Sequence, residues 1–407
     1  MAISSRFPTH SRRTILAGLV PSLLLAGCAT LLEPTPLNKS ANLIREGQFS
    51  QAVESASLAI AADPKSALGY VNRALAYQSL NQYDLAAQDY QQALRLAPDS
   101  GVTHLNYVHL LLAMRRTEEA QNLARRYYSG ARDEQTASIT LATALEATGN
   151  DREAKRLCWR ALERLEGMSP GTGELQFVKK SDLLASGYAL LAIIESKLGD
   201  HDAAARSVER ARALQPGLAV QHARATMFAN RGDCGAATRV VAAALSEATS
   251  YERHSPTGAK AKFLQANCFL RLGELEQARR AYEEFLEVNR YEPEAYVNLG
   301  RIHAEQGRYS EAIDAYDSAL RIQPRLVLAL ENRAALRLRD GSYAEAVKDL
   351  DAALAVEPNN LGLRYKRAYA NCARGELDQA ARDIQTILRQ QPQHAEARVL
   401  QDRCVSE

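Results

Sequence analysis

Residues 295–324 carry a pattern of large and small apolar positions that predicts two antiparallel helices. Small residues let two helices approach closely, and large neighbours fill the space beside them. The large residues are Tyr296, Leu299, Tyr309 and Tyr316, and the small residues are Gly300, Ala312 and Ala319. Gly307 predicts the turn between the helices, and Pro324 predicts the end of the second helix.

The same pattern returns along the chain with a fixed period. Pro64 and Pro98 are 34 residues apart, and the same step separates Pro324, Pro358 and Pro392. The packing alanine and the turn glycine repeat with this step as well. They occur at Ala312, Ala346 and Ala380, and at Gly307, Gly341 and Gly375. A regular period of this length indicates an array of structural repeats.

The residue types of 295–324, in their order, resemble the tetratricopeptide repeat, a helix–turn–helix of about 34 residues. This resemblance implies an all-α fold, a right-handed superhelical solenoid of about ten repeats with a C-terminal capping helix. First helices of the repeats would line a concave wall. One repeat cannot bury its apolar face alone, so we expect each repeat to depend on its neighbours.

Repeat period and composition together predict the organisation of the chain. The predicted segments are a signal peptide (1–27), a tether (28–38), repeats one to four (39–168), an insertion (169–184), repeats five and six (185–251), a break (252–258), repeats seven to ten (259–394) and a capping helix (395–407). Within the insertion, Ser169-Pro170-Gly171-Thr172-Gly173 has the composition of a turn.

The N-terminus has the features of an export signal. Arg6, Arg12 and Arg13 precede a short apolar run at 15–26. Leu25-Ala26-Gly27-Cys28 follows and resembles the lipobox of bacterial lipoproteins. The resemblance implies diacylglycerol transfer to the Cys28 thiol, cleavage after Gly27 and acylation of the new amine. Several acyl chains would anchor the protein durably, where a single chain binds reversibly.

Several features of this segment leave alternatives open. Ser11-Arg12-Arg13-Thr14-Ile15 also resembles a twin-arginine signal, although two arginines occur in ordinary signals too. An ordinary signal peptide is a further alternative to the lipoprotein signal. Ala29, rather than Asp, follows the cysteine, and by resemblance to bacterial sorting this favours the outer membrane, on its periplasmic side.

Composition and motifs narrow the function classes. The chain is 46% hydrophobic and 24% charged, as in globular proteins, and its net charge of +2 does not indicate a nucleic-acid partner. We expect no transmembrane helix in the mature chain, since no run of 18 apolar residues occurs. Phosphate-loop, zinc-protease and paired-cysteine motifs are missing from the sequence. We therefore predict no catalysis, no cofactor and no metal site.

The resemblance also suggests where a ligand would bind. In this family the sixth position of the first helix faces the groove. Here that position holds Asn72, Asn106, Asn298, Asn332 and Lys366, with Arg301, Tyr365 and Tyr369 beside it. An amide offers both a donor and an acceptor, so a ladder of them can hold an extended peptide. The alternative is that these polar residues are simply solvated.

A carboxylate-clamp groove, a variant that the family also includes, is not predicted. It requires lysines at positions where this chain has Val297 and Gly362. Without those charged donors the bonds to a terminal carboxylate would be missing.

Five cysteines besides Cys28 are open to pairing in an oxidising compartment. We predict a disulfide between Cys372 and Cys404, which fall at similar heights on successive first helices. Cys234 and Cys268 are a weaker pair, and Cys158 suits a buried thiol. The alternative is that all five are reduced and buried.

These features favour a lipid-anchored envelope scaffold that binds partner proteins or extended peptides. By resemblance, tetratricopeptide lipoproteins support assembly of a pilus, a secretion system or a polysaccharide-export machine. One alternative is a soluble cytoplasmic adaptor or co-chaperone whose apolar N-terminus is not a signal. Another is a carbohydrate-polymer chaperone that uses Tyr365 and Tyr369.

Overall fold

A computed structural model of the chain describes residues 35–131, 133–168 and 180–405. All regular secondary structure in these ranges is helical, which confirms the predicted all-α fold. The signal segment, Cys28, the tether up to residue 34 and residues 169–179 of the insertion lie outside the described residues.

The chain divides into two compact units, and the division falls between Leu272 and Gly273, inside predicted repeat seven. The helices of the first unit are α1 (Pro36–Glu46), α2 (Phe49–Ala62), α3 (Ala67–Ser79), α4 (Tyr83–Leu96), α5 (Gly101–Ala113), α6 (Thr117–Gly130), α7 (Glu134–Glu146), α8 (Asp151–Gly167), α9 (Lys180–Lys197), α10 (His201–Leu214), α11 (Leu218–Asn230), α12 (Cys234–Glu247), α13 (Ser250–His254) and α14 (Pro256–Arg271). Those of the second unit are α15 (Leu275–Val288), α16 (Pro293–Glu305), α17 (Tyr309–Ile322), α18 (Val327–Arg339), α19 (Tyr343–Val356), α20 (Leu361–Ala373), α21 (Leu377–Gln390) and α22 (Ala395–Val405).

Local signals explain where these helices begin and end. Ser66 and Ser100 cap α3 and α5, each accepting a hydrogen bond from a backbone N–H of the first turn. Gly307 has a φ of 75° in the turn between α16 and α17, a conformation that glycine adopts without strain. In the third hairpin Arg115 holds the equivalent left-handed position with a φ of 61°, so this repeat turns in the same way without glycine.

Small residues set the distance between the helices of a hairpin. Ala312 and Ala319 on α17 are fully buried beside Tyr316. A Cβ atom on Gly300 of α16 would come within 2.6 Å of the Tyr316 ring, so only glycine fits this approach. The packing alanines that the sequence places 34 residues apart are therefore the positions where paired helices come into close contact.

Some predicted boundaries look different in the structure. The predicted break at 252–258 holds the end of α13 and the start of α14, with only Ser255 between them. A capping box between Thr249 and Glu252 begins α13, and Ser255 caps α14. At the N-terminal end, α1 starts at Pro36 and so includes the last three residues of the predicted tether.

The first helices of the first unit close into a ring of contacts. The first helices α5, α7, α9, α11 and α14 contact one another in that order, and α14 also contacts α5. In addition α13 contacts α1, and the rings of Phe49 and His254 meet edge to face with centroids 5.5 Å apart. Five first helices thus form a closed ring, which we call the inner ring.

The capping helix α22 closes the second unit. Leu400 and Cys404 of α22 are buried against Ala380 and Ile384 of α21. The structure has a disulfide between Cys372 of α20 and Cys404, while Cys158, Cys234 and Cys268 are buried thiols. In the described part of the chain, no helix combines the length and apolar character needed to cross a membrane.

Arginines on first helices join consecutive hairpins in both units. Arg73 of α3 binds Asp89 of α4 through two hydrogen bonds of 2.7 and 2.8 Å and also donates to Ser57 of α2. Arg333 of α18 binds Asp349 of α19 and Asp317 of α17 in the same way.

Arg367 of α20 repeats this arrangement with Asp383 of α21 and Asp351 of α19. Each arginine lies 16 residues from both of its partners, one before it and one after it. We call these contacts the arginine bridges. The sequence analysis missed them, although arginine and aspartate recur there with the repeat period.

We predict that Arg73→Met lowers the free energy of unfolding by about 3 kcal/mol, because it leaves the buried Asp89 carboxylate without its ion-pair partner. Urea unfolding followed by circular dichroism measures the change. The matched control is Arg212→Met, since Arg212 forms an exposed pair with Glu209 within one helix and should cost at most about 1 kcal/mol. Equal losses in the two variants would contradict a role for the arginine bridges.

Candidate functional site

The predicted groove residues of the second unit lie on adjacent first helices. α16, α18 and α20 contact one another in this order, and α22 follows α20. Asn298, Asn332 and Lys366 occupy the same position on the three helices and are half-buried. With Arg301, Tyr365 and Tyr369 they form what we call the second-unit face.

Several polar groups of this face already have partners within the unit. The Asn298 amide donates to the Tyr282 hydroxyl at 2.9 Å. The Lys366 ammonium donates to the Glu331 carboxylate at 2.5 Å, so a cation on α20 is held beside an anion on α18. Arg301 is exposed, and its ion pair within the described part of the chain is a surface contact with Glu305 at 3.6 Å. Its guanidinium group is therefore the most available charge on the face.

The two tyrosines pack against aromatic neighbours. Tyr365 stacks on His394 with ring centroids 5.8 Å apart, and Tyr369 meets Tyr343 edge to face at 6.4 Å. Both tyrosines also pack on the core beneath α22. Their rings shape the floor of the face and keep only part of their surface accessible.

Asn72 and Asn106, predicted for the same groove, belong to the first unit and are buried. Their exposed fractions are 1% and 3%. The Asn72 amide donates to Ser40 at 3.0 Å and to the carbonyl oxygen of Leu37 at 3.4 Å, so it joins α3 to α1. Because both amides are buried, neither lies on an accessible surface, and neither is included in the proposed site.

A group of titratable side chains inside the inner ring did not stand out in the sequence. The group, which we call the interior cluster, comprises His109 (α5), Glu146 (α7), Lys197 (α9), His222 (α11) and Lys260 (α14). Each of the five helices contributes one member. These residues share no fixed spacing, so only the closure of the ring reveals the cluster.

Charge and burial set the protonation states in the interior cluster. Burial, together with the Lys260 ammonium group, lowers the pKa of His109 to about 3 and that of His222 to about 4. Burial acts to raise the pKa of Glu146, but the charges of Lys260 and Lys197 outweigh it and lower the pKa. Lys197 also donates hydrogen bonds to the Glu146 side chain and to its carbonyl oxygen. Near pH 7 the histidines are neutral and Glu146 is ionised.

No group of histidine, cysteine and acidic side chains suited to hold a metal ion occurs among the residues that the structure describes.

Three tetratricopeptide repeat models match the sequence, at residues 67–100, 263–326 and 337–404. Over these segments the chain is similar to the tetratricopeptide repeat family. The first of them covers α3 and α4, the hairpin that carries Arg73 and Asp89. Proteins built of such repeats are generally non-catalytic scaffolds for protein–protein interaction.

Several solved structures are similar to the chain at low identity. Pseudomonas aeruginosa pilF is 16% identical with a TM-score of 0.47, over 55% of this chain and 99% of that chain. Yeast Tom70 is 13% identical with a TM-score of 0.40, over 91% and 87% of the two chains. A tetratricopeptide repeat protein from Parabacteroides merdae is 18% identical with a TM-score of 0.38, over 67% and 98%. No curated protein sequence matches the chain.

The neutral histidines of the inner ring make the stability of the first unit depend on pH. In the unfolded chain histidine titrates near 6.5, above the pKa values of about 3 and 4 in the fold. As the pH falls below about 6.5 the unfolded state therefore binds more protons, and stability is lost. We predict that the urea midpoint decreases from pH 7 to pH 5.

The control for this prediction is the double variant His109→Gln with His222→Gln. It should show a shallower decrease over the same range, because glutamine does not titrate. A pH dependence as steep as that of the unmodified chain would contradict the assignment to these two histidines.

Proposed function

We propose that the chain is a lipid-anchored scaffold of a bacterial cell envelope, held at the outer membrane on its periplasmic side through Cys28. Its repeats bind partner proteins or extended peptides and support assembly of a pilus, a secretion system or a polysaccharide-export machine. The observation that carries the binding proposal is the second-unit face, where three adjacent first helices present polar side chains at one register.

The chemistry of this face suits an extended peptide. The half-buried Asn332 offers a donor and an acceptor, which together match one peptide unit. Arg301 offers an exposed charge on α16, and the Lys366–Glu331 pair presents both signs of charge on α20 and α18. A peptide that crosses α16, α18 and α20 would therefore meet amide and charged groups in alternation.

The rings of Tyr365 and Tyr369 bear on the carbohydrate alternative. Sugar polymers need flat, open aromatic surfaces, whereas these rings pack against His394 and Tyr343. The face therefore favours a peptide over a sugar polymer.

We predict that Arg301→Ala combined with Asn332→Ala weakens partner binding on the order of tenfold, since each lost hydrogen bond contributes about 1 kcal/mol. Crosslinking in native membranes and mass spectrometry would first identify the partner, and its affinity for the purified variants would then be measured. The matched control is Asn359→Ala, which removes an exposed amide in the turn between α19 and α20. Unchanged affinity in the double variant would place binding on another surface.

The anchor proposal rests on the sequence of the first 28 residues. A basic segment, an apolar run and Leu25-Ala26-Gly27-Cys28 occur in the order of a lipoprotein signal. Acyl chains on Cys28 would hold the protein at the membrane without a spanning helix, because each buried CH₂ group contributes about 0.8 kcal/mol.

We predict that cells expressing the chain incorporate labelled palmitate into it, and that Cys28→Ser abolishes the label. Cys158→Ser is the matched control, because this buried thiol on α8 lies far from the signal in sequence and should leave the label unchanged. Protease added to spheroplasts should degrade the protein. Label that survives in Cys28→Ser would refute the anchor at Cys28, and protection from the protease would favour the cytoplasmic adaptor instead.

A further inference from the structure

The inner ring of the first unit encloses groups that the proposed function does not use. Its five helices form a closed cycle of contacts, and each one contributes a member of the interior cluster. Lys197 and Lys260 are nevertheless exposed, while His109 and His222 are half-buried. The ammonium groups of Lys197 and Lys260 are therefore reached by solvent, and a ligand at the ring can approach them.

The charges inside the ring are unequal. Two ammonium groups, on Lys197 and Lys260, accompany a single carboxylate, on Glu146. Lys197 hydrogen-bonds to Glu146 and compensates its charge, which leaves the charge of Lys260 for a further anion. Electrostatic interactions link Lys260 to His109, His222 and Glu146, on three different helices of the ring.

The two histidines add hydrogen-bonding groups without adding charge. A neutral imidazole has one N–H donor and one acceptor nitrogen. Because burial and Lys260 keep both rings neutral near pH 7, each can donate one hydrogen bond to an oxygen atom near Lys260. An ammonium group with two such donors can satisfy the two oxygens of a carboxylate.

We propose that the interior of the inner ring binds one carboxylate group of an acidic peptide segment, with Lys260 supplying the charge and His109 and His222 supplying hydrogen bonds. A monoanion balances the single excess charge of the cluster. A dianion such as phosphate would leave an uncompensated negative charge close to Glu146, which is costly where water is partly excluded. The site involves none of the residues of the second-unit face and does not depend on the proposed function.

Peptide titrations of the purified full chain with selectively labelled histidine test this proposal. The probe is glycyl-glutamyl-glycine with blocked ends, and its partner probe replaces Glu by Gln, which removes only the charge. We expect the Glu peptide to shift the imidazole NMR signals of His109 and His222 in a saturable way and the Gln peptide to leave them unchanged. Equal shifts with the two peptides, or no shift with either, would overturn the proposal.

Variants separate the roles of the charges. Lys260→Met should weaken binding of the Glu peptide on the order of tenfold or more, because a charge-assisted bond is lost. Lys65→Met, at an exposed lysine outside the inner ring, should leave the affinity unchanged. Glu146→Gln should increase the affinity, since it removes the competing anion and keeps a hydrogen-bond acceptor for Lys197.

Two results with these reagents would refute the site. One is an unchanged affinity in Lys260→Met, and the other is a lower affinity in Glu146→Gln. Inorganic phosphate serves as a competing probe. Displacement of the Glu peptide by phosphate at concentrations below that of the peptide would show a dianion site and would overturn the assignment to a carboxylate.

Discussion

Close contact between paired helices is the constraint on which this structure depends. It requires small residues where the helices touch and large residues beside them, and both recur with the repeat period. Ala312 and Ala319 are fully buried, and Gly300 has no room for a Cβ atom beside Tyr316. A hairpin with this geometry still exposes an apolar face, so each hairpin depends on the next one for burial.

The arginine bridges add a second, more specific link between hairpins. Their aspartates are nearly buried, so an unpaired carboxylate there would be expensive, and each arginine binds a second helix in the preceding hairpin. Hydrogen bonding to Asp383 raises the pKa of Arg367 above its usual value. Apolar contacts allow several relative positions of two helices along their axes, whereas a guanidinium group that binds two helices is satisfied in one register only. We infer that the bridges contribute more to register than to net stability.

The two units use first helices differently. In the second unit, α16, α18 and α20 present half-buried amide and charged groups on one face. In the first unit, the packing of α1 on α3 buries the equivalent Asn72, and the return of α14 to α5 encloses the interior cluster. The same repeat chemistry therefore produces a polar face in one unit and a ring lined by polar groups in the other.

The sequence by itself determined the helical repeats and their period, because Gly307, Ala312 and Pro324 act within one hairpin and recur at fixed spacing. The residues of the second-unit face were predicted from the family resemblance, in which the sixth position of the first helix faces the groove. The burial of Asn72 and Asn106 and the assembly of the interior cluster were decided only by the tertiary structure. Periodicity states which helices are neighbours along the chain, but ring closure depends on the sum of many small rotations between hairpins. No single residue determines that sum, so the proximity of Lys260 to His109 becomes evident only in the folded chain.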